Sequence, residues 1–540
     1  MVTRFAILDG CVDEPSCLGV PPYVSPYPRY IAGALEDAGA EWRYLTIGQF
    51  RSGVEIPDLE HLIIVGGALV PGKYLRGMPA STNEIARIAG QFRGKVYVAG
   101  PIARFWDRKI EVGPEEFIRQ DADAFVYDLA KTGKGNDRRR TQAEWERWAE
   151  LGATLIKHHP DFPIPLIAEI ELMRSCVRSF MGGCSFCTDV LYGEPQFRSE
   201  RSIVNEVQRM RALGLERFRL GAISCTFTYM AKGVGETETP APNPKAWERV
   251  LKGICNPTKP KALHTDNANP AVMRAHPVET NKILNLLVEY CTPGNVLSLG
   301  MESADEAVIE ANRLNATPGD VIEAIRMINK AGRARGDNGM PLLLPGLNFV
   351  TGLDGESKDT FRKNMEFLEK VVEEGLLLRR INIREVASWR RDFRPRHRVE
   401  ARRFKQKVRE RIDRRMLMDI VPTGTVMGEV YLERVIGNVT FGRHIGTYPL
   451  LVGIPDRLPI DRFVDAIVAS HGERSVTALE HPIRINRISM RALSEIPGIG
   501  RRRAASIVRA RPFRDERELL DRISDSEDAT SFLKGNVGFS

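Results

Sequence analysis

The sequence predicts an α/β protein: a doubly wound, Rossmann-like domain, a partial (β/α)6 barrel, a small β-rich domain and a helical C-terminal segment. A chain of 540 residues is too long for one ordinary hydrophobic core, so we expect several domains. Short apolar strands alternate with amphipathic helices over 1–165, and the alternation restarts at residue 166. After residue 420 the pattern is glycine-punctuated and β-rich, and it returns to helix over 485–525. The predicted domains are therefore 1–165, 166–420, 421–480 and 481–540.

The N-terminal alternation is typical of a parallel sheet with helices on both faces. We predict strands at 5–10, 42–47, 61–67, 95–100 and 123–129, and helices at 29–39 and 81–92. The charged residues 133–150 predict an exposed connecting helix. In a doubly wound sheet a ligand binds beyond the carboxyl ends of the strands, so we expect any site of this domain at that edge.

Six further βα units predict the partial barrel. The strands are expected at 166–172, 217–222, 262–267, 296–301, 346–353 and 379–386, and the helices at 201–213, 278–290, 304–332 and 357–375. In such barrels the reacting groups lie on loops at the carboxyl ends of the strands. Motifs that directly follow these strands are therefore the candidates for chemistry.

Composition excludes some classes of protein. The chain is 43% hydrophobic and 27% charged, which is ordinary for a globular protein. It has neither an apolar run of about 20 residues that could cross a bilayer nor a signal-peptide pattern at its N-terminus. We therefore expect a cytoplasmic protein without a membrane partner. Eight cysteines are too few and too unevenly placed for a disulfide scaffold.

The positive charge is local. Residues 379–415 carry 16 basic and 5 acidic residues, an excess larger than the net charge of +8 of the whole chain. A patch of this density is the electrostatic footprint of a polyanion partner, or else the solvated face of an arginine-rich helix. The segment alone does not distinguish the two.

Three cysteines crowd into one loop directly after the first predicted barrel strand. Cys176, Cys184 and Cys187 lie within twelve positions, beside Gly182 and Gly183. Three thiolates can bind three irons of a [4Fe–4S] cluster and leave the fourth iron open. Tetrahedral zinc usually has a fourth Cys or His ligand, and none lies nearby in the sequence. The other alternative is three unligated buried thiols.

This loop resembles that of the radical S-adenosylmethionine (SAM) superfamily, which ends in Cys, any residue, an aromatic residue and Cys. Cys184, Phe186 and Cys187 match that ending, although seven residues separate Cys176 from Cys184 where the family usually has three. Segment 300–303 resembles the family's SAM-contacting segment after the fourth strand, and 347–357 resembles its fifth-strand segment. The resemblance covers 166 to about 390.

The resemblance implies cofactors, residues and chemistry. It implies a [4Fe–4S] cluster on the three cysteines, with Phe186 beside it, and SAM bound through Glu302, Ser303 and Asn348. Reductive cleavage of SAM would give a 5′-deoxyadenosyl radical that abstracts a hydrogen atom from an unactivated position. A reductant protein such as a ferredoxin or flavodoxin would supply the electron.

The N-terminal domain has two precedents in this superfamily. It resembles the cobalamin-binding domain of B12-dependent radical SAM methylases, so cobalamin is a candidate third cofactor. The methylthiotransferases carry three further cysteines there for a second cluster, whereas this chain offers only Cys11 and Cys17. We favour the cobalamin-type domain. A degenerate domain that binds nothing is the alternative.

The C-terminal segment 493–508 resembles a helix-hairpin-helix. Gly498 and Gly500 predict a tight hairpin whose backbone N–H groups can approach a phosphate, and Arg501, Arg502 and Arg503 place cations there. Such hairpins contact the nucleic-acid backbone rather than the bases. The β-rich segment 421–470 resembles, more weakly, the small TRAM-like barrel of RNA-modifying methylthiotransferases. The order of modules resembles archaeal radical SAM proteins with a C-terminal helix-hairpin-helix.

The leading hypothesis is a radical SAM enzyme that transfers a methyl or methylthio group to a structured RNA, tRNA or rRNA. One alternative is a B12-dependent methylase of a protein substrate, in which the hairpin only docks a partner. The other is a nucleic-acid-binding protein whose cluster is structural. SAM cleavage separates the last of these from the two enzymes.

Overall fold

The protein is described by a computed structural model that covers residues 3–11, 23–67, 76–105, 116–387 and 390–539. The chain divides into two compact units. The first comprises Met1–Cys291, Glu310–Ala316 and Val386–Arg394, and the second comprises Thr292–Ile309, Thr317–Glu385 and Pro395–Ser540. The four predicted domain boundaries stay a prediction. No helix among the described ranges is both long enough and apolar enough to cross a bilayer.

The N-terminal part of the first unit is a parallel five-stranded sheet of order β3-β1-β4-β5-β6. Its strands are buried on both faces and flanked by helices, as the alternation predicted. The elements here are β1 (Arg4–Asp9), β2 (Tyr23–Val24), α1 (Pro26–Ala38), β3 (Glu41–Thr46), α2 (Ile47–Arg51), β4 (His61–Val65), α3 (Thr82–Gln91), β5 (Lys95–Ala99), α4 (Pro101–Phe105), β6 (Glu116–Phe117), α5 (Ala122–Thr132) and α6 (Gln142–Leu151).

Two sequence predictions in this region are wrong. Segment 123–129 is not a strand but lies in helix α5, because its buried residues Ala122, Phe125, Val126 and Leu129 recur at helical spacing. Nor is 133–150 an exposed connecting helix. Helix α6 starts only at Gln142, and its tryptophans, Trp145 and Trp148, are buried.

A second parallel sheet follows in the first unit, with the order β11-β10-β7-β2. Strand β2, from the N-terminal segment, pairs with β7 and closes its edge. The remaining elements of this unit are β7 (Ile167–Glu171), β8 (Met173–Arg174), β9 (Gln196–Phe197), α7 (Glu200–Ala212), β10 (Arg217–Ala222), α8 (Pro244–Ile254), β11 (Ala262–Thr265), β12 (Asn267–Ala268), α9 (Pro270–Ala275) and α10 (Pro277–Tyr290).

Helix α1 is held in place by buried charge and by close backbone contact. Arg29 donates hydrogen bonds to the Glu206 carboxylate and to the backbone oxygen of Glu169, and Arg198 donates to the other oxygen of Glu206 at 2.5 Å. The side chains of Arg29, Arg198 and Glu206 are fully buried. A Cβ at Gly33 would lie 2.0 Å from the Trp148 backbone oxygen, so only glycine allows α1 to approach α6 this closely.

The second unit opens with three parallel strands, in the order β13-β14-β15. All six predicted barrel strands are thus present, three in each unit. The elements are β13 (Asn295–Glu302), α11 (Glu306–Ala311), α12 (Pro318–Gly332), β14 (Leu343–Thr351), α13 (Lys358–Glu373), β15 (Ile381–Glu385), α14 (Arg398–Lys407) and α15 (Arg414–Ile420), the last two joined by a π-helical turn at Val408–Asp413.

A closed five-stranded barrel follows, with neighbours in the order β16-β17-β18-β20-β19. Its pairs are antiparallel except β18 with β20, which agrees with the predicted small β-rich domain. The elements are β16 (Val426–Ile436), β17 (Val439–Arg443), β18 (Leu451–Ile454), β19 (Arg462–His471), β20 (Ser475–His481), β21 (Ile483–Arg484), α16 (Met490–Leu493), α17 (Arg501–Ala510), α18 (Glu516–Arg522), α19 (Glu527–Leu533) and β22 (Val537–Gly538).

The buried ion pairs predict a large stability effect. Glu206→Gln leaves two buried guanidinium groups without their carboxylate, and we expect it to cost about 3–5 kcal/mol. All six tryptophans belong to the first unit, so urea unfolding followed by tryptophan fluorescence measures this loss. The control Glu248→Gln removes an exposed partner of Lys252 in the same unit and should leave the midpoint unchanged. Equal midpoints for both variants would contradict the prediction.

Candidate functional site

The three predicted cluster cysteines lie on one loop of the first unit, just after β7 and β8. Cys176, Cys184 and Cys187 are half-buried, and none of them forms a disulfide bond within the described structure. The loop turns at Gly182 and Gly183, whose φ angles are +79° and +56°, and a Cβ at Gly183 would lie 2.5 Å from a methyl group of Val190. The glycines therefore allow the loop to turn between Cys176 and Cys184.

Two arginines hold this loop, and the sequence alone did not single out either one. Arg178 is 4% exposed and donates hydrogen bonds to Sγ of Cys184 at 2.9 Å and to the backbone oxygen of Arg313 at 2.8 Å. Arg390 donates to the backbone oxygens of Cys184 and Gly182, at 2.5 and 3.0 Å. In the sequence, Arg178 is the one cation between Cys176 and Cys187, which could have drawn attention to it. Arg390 is one of the 16 basic residues of 379–415 and carries no such signal. At least one residue of the basic segment therefore serves the cysteine loop.

Burial and neighbouring acidic groups raise the pKa values of two of these thiols. Burial raises the pKa of Cys176 to about 12, and nearby Asp189 and Cys184 raise it further. Burial also raises the pKa of Cys187 well above its ordinary value, with Asp189, Cys184 and Cys176 adding to the rise. Three neighbouring thiolates need compensating positive charge, and bound iron supplies it.

Three thiols on one loop are donors that the irons of a [4Fe–4S] cluster could take. Among the residues that the structure describes, no three His, Cys, Asp or Glu side chains converge on one ion. A [4Fe–4S] cluster binds each thiolate at a different iron, so its ligands surround the cluster instead of meeting at a point. Phe186 is half-buried within the same loop.

The second unit holds the predicted SAM-contacting residues. Glu302 ends β13 with φ +61°, a conformation that costs free energy for a residue with a side chain. Burial alone raises the pKa of its carboxyl from 4.5 to about 8. No hydrogen bond to this carboxyl is found within the described part of the chain. A strained, buried and uncompensated carboxyl is typical of a ligand-binding position.

The other two predicted contacts already have protein partners. The Ser303 hydroxyl is buried, accepts a hydrogen bond from the backbone N–H of Asp305 at 3.1 Å, and therefore stabilises its own loop. The Asn348 amide donates to Oγ of Ser298 at 3.0 Å, and its oxygen accepts from Asn382 at 3.3 Å. Asn382 was missed because one polar residue on a short strand carries no distinctive pattern. The roles of Ser303 and Asn348 toward SAM stay predictions.

A cavity lies within the first unit, at the carboxyl ends of β5, β7 and β10. Gly100, Glu171 and Ser224, which mark those strand ends, contribute to its lining. Tyr27 and Tyr192 add aromatic surface. This is the edge at which the sequence predicts a ligand. The candidate cofactor of this domain, cobalamin, is the ligand that the resemblance implies.

Of the two N-terminal cysteines, the structure describes only Cys11. Cys11 is buried, and burial raises the pKa of its thiol well above the ordinary value. Cys17 lies outside the described residues. Nothing in the described part of this domain brings a third cysteine to Cys11.

At the predicted hairpin, the two glycines differ. Gly498 has φ +74°, and a Cβ there would lie 2.3 Å from Oγ of Ser526. Gly500 is extended, with φ −81°, and begins α17; a Cβ there would meet nothing within 4 Å. The tight turn thus depends on Gly498. The open space at Gly500 leaves the N-terminus of the helix accessible to a phosphate.

The three arginines of the hairpin also differ. Arg501 and Arg502 are exposed at the N-terminus of α17. Arg503 instead forms an ion pair with Asp525 at 2.7 Å and donates to the backbone oxygen of Gly498 at 2.8 Å, so it stabilises the turn. The assignment of this segment as a helix-hairpin-helix, and its contact with nucleic acid, stay predictions.

Comparison with other proteins shows the family. The chain is 40% identical over 509 residues to "Uncharacterized protein MJ0274" of Methanocaldococcus jannaschii, covering 88% of this chain and 93% of that protein. It is 39% identical over 534 residues to an "Uncharacterized protein" of Archaeoglobus fulgidus, covering 96% and 97%. The chain belongs to the protein family that includes these two archaeal proteins. No family model matches it.

Solved structures give more distant similarities. The radical S-adenosylmethionine methyltransferase TsrM from Kitasatospora setae is 11% identical, with a TM-score of 0.46, over 70% of this chain and 72% of that chain. The cobalamin-dependent S-adenosylmethionine radical enzyme OxsB is 12% identical, with a TM-score of 0.48, over 68% and 52%.

The raised pKa of Glu302 predicts a pH-dependent stability. The folded state holds the proton more tightly than the unfolded state does, so stability falls as pH rises from about 4.5 to about 8. Glu302→Gln removes this titration. The unfolding temperature of the unliganded wild-type protein should therefore fall relative to that of the variant between pH 5 and pH 8, as measured by calorimetry. The exposed control Glu306→Gln should follow the wild-type profile, and parallel profiles for all three proteins would contradict the prediction.

Proposed function

We propose that the protein is a radical SAM enzyme with a [4Fe–4S] cluster on Cys176, Cys184 and Cys187. The observation that carries the proposal is the loop, turned at two glycines, that bears three half-buried thiols. When bound, the cluster would supply an electron to SAM at its open iron. The chain's own contribution is to hold the loop through Arg178 and Arg390 and to exclude water from the thiols.

Glu302 is the residue that we propose for SAM recognition in the second unit. Its carboxylate is the natural acceptor for an ammonium group or a ribose hydroxyl, and it has no such donor in the described chain. A cationic or hydrogen-bonding ligand would favour the ionised form and return the pKa toward its ordinary range. SAM binding would thereby offset the cost of the buried carboxyl.

The proposed reaction is transfer of a methyl or methylthio group to a structured RNA, tRNA or rRNA. Support comes from the exposed Arg501 and Arg502 at the open N-terminus of α17 and from the closed barrel that precedes it. We propose cobalamin as the cofactor of the N-terminal domain, supported by the cavity that β5 of its sheet shares with β7 and β10. A ferredoxin or flavodoxin would deliver the electron. TsrM is a radical S-adenosylmethionine methyltransferase, and OxsB is a cobalamin-dependent S-adenosylmethionine radical enzyme.

The cysteine loop provides the decisive experiment. Anaerobic reconstitution should load about four irons per chain and permit SAM cleavage with dithionite as reductant. Changing Cys176, Cys184 or Cys187 singly to Ala should abolish cleavage and lower the iron content, measured by colorimetric iron assay and by detection of 5′-deoxyadenosine. Cys255→Ala is the matched control, since Cys255 is also free and half-buried but lies in another segment. Full iron and no SAM cleavage in the wild type would favour a structural cluster.

The hairpin tests the RNA partner. Arg501→Gln combined with Arg502→Gln should weaken binding of unfractionated tRNA. If both residues contact phosphate, the log–log salt dependence should flatten by about 1.4 to 1.8. Arg509→Gln is the control, because Arg509 is exposed at the opposite end of the same helix. Fluorescence anisotropy at several salt concentrations measures both quantities. Unchanged affinity and slope in the double variant would favour a protein substrate.

A further inference from the structure

Five basic residues of the second unit lie close enough to one another to interact electrostatically. Arg379 and Arg380 precede β15, Lys405 lies on α14, Arg409 lies in the π-helical turn, and Arg474 lies in the turn between β19 and β20. We refer to these five residues as the arginine cluster. They come from four separate segments, so the local sequence does not reveal that they are neighbours.

Two of these guanidinium groups are fixed against the small barrel. Arg380 stacks over the ring of Tyr448, with its guanidinium carbon 3.5 Å from the ring centroid. Arg379 donates one hydrogen bond, at 3.3 Å, to the backbone oxygen of Pro449, and its buried Nε has no partner in the described structure. The protein thus pre-orients cationic groups whose hydrogen-bonding capacity is only partly used.

The charges in the cluster repel one another. Burial, together with the positive charge of Arg474, lowers the pKa of Arg379 to about 10. Burial and the neighbouring arginines also lower the pKa of Lys405 and of Arg474, although Asp413 opposes the effect at Arg474. Repulsion among these positive charges destabilises the isolated chain, and a bound polyanion would reduce that repulsion.

Asp413 is a carboxylate that interacts with three arginines of the cluster, and it compensates their charge incompletely. Burial raises its pKa to about 6, even though Arg474, Arg379 and Arg409 all act to lower it. Asp413, Arg409 and Arg474 form no ion pair within the described structure. This contrasts with other cations of the basic segment, such as Arg398, which is paired with Glu385 at 2.9 Å, and Arg411, which is paired with Glu369 at 3.3 Å.

We propose that the arginine cluster binds consecutive phosphate groups of an RNA backbone and is a principal anchor of the RNA on this protein. The proposal rests on the RNA-modifying function proposed above and locates its contact. Cations contributed by a strand end, a helix and a barrel turn present several donors, which suits a chain of phosphates better than one small anion. Arginine also offers two parallel donors to a phosphate, which strengthens each contact.

The test uses the full chain, fluorescently labelled unfractionated tRNA and anisotropy at several salt concentrations. Arg409→Gln combined with Arg474→Gln should flatten the log–log salt dependence by about 1.4 to 1.8 and weaken binding roughly 10- to 30-fold near 0.15 M salt. The control Arg457→Gln removes an exposed cation elsewhere on the same barrel and should bind as the wild type does. An unchanged slope in the double variant would overturn the proposal.

Asp413→Asn provides a change of the opposite sign. Removal of the carboxylate makes the cluster more positive, so tRNA affinity should rise, whereas a purely structural role predicts no gain.

A polyglutamate peptide of matched charge should bind more weakly than tRNA; equal binding would overturn the assignment to an RNA backbone. SAM cleavage without RNA is measured in parallel. If the wild type does not cleave SAM but the variants change tRNA binding as expected, the proposed reaction is refuted and the RNA site stands. If the wild type cleaves SAM but the variants leave tRNA binding unchanged, only the RNA site is refuted.

Discussion

The first unit depends on one carboxylate, that of Glu206, which binds two buried arginines from distant parts of the chain. Arg29 brings helix α1 to it, and Arg198 brings the segment before α7. Both arginines also donate to backbone oxygens of β7, at Glu169 and Glu171. The carboxyl end of β7 is therefore held from two sides, and the cysteine loop starts only a few residues later.

A second set of buried charges continues from that strand to the loop. Arg140 donates to Asp123 at 2.9 Å and to Glu171 at 2.8 Å, and Arg174, two residues before Cys176, donates to Asp121 at 2.7 Å. Because these pairs are buried, removing one partner would leave an uncompensated charge, so they restrict the loop to few conformations. The same groups surround the cavity at the strand ends. Support of the cysteine loop and the shape of the cavity are therefore coupled.

Elements with a local signal could be predicted from the sequence, whereas contacts between distant residues could not. The six barrel strands and the small β-rich domain follow from apolar runs and glycine punctuation, and the cysteines follow from their spacing. Segment 123–129 was assigned wrongly because a short apolar run fits a strand as well as a buried helix face. The pairing of Arg29 with Glu206 spans 177 residues and has no sequence pattern. The positive φ of Glu302 likewise depends on tertiary context.

The basic segment shows why a charge count does not define a binding surface. Its cations have different partners: Arg390 binds the cysteine loop, and Arg398 and Arg411 pair with carboxylates. A cation that already has a carboxylate partner gains little from a phosphate, because it must lose one interaction to form the other. Cations that are held in place without such a partner gain the full interaction. In the arginine cluster, charge contributed by the turn at Arg474 adds to that of the basic segment, so this accumulation of positive charge is defined by folding rather than by the run of basic residues in the sequence.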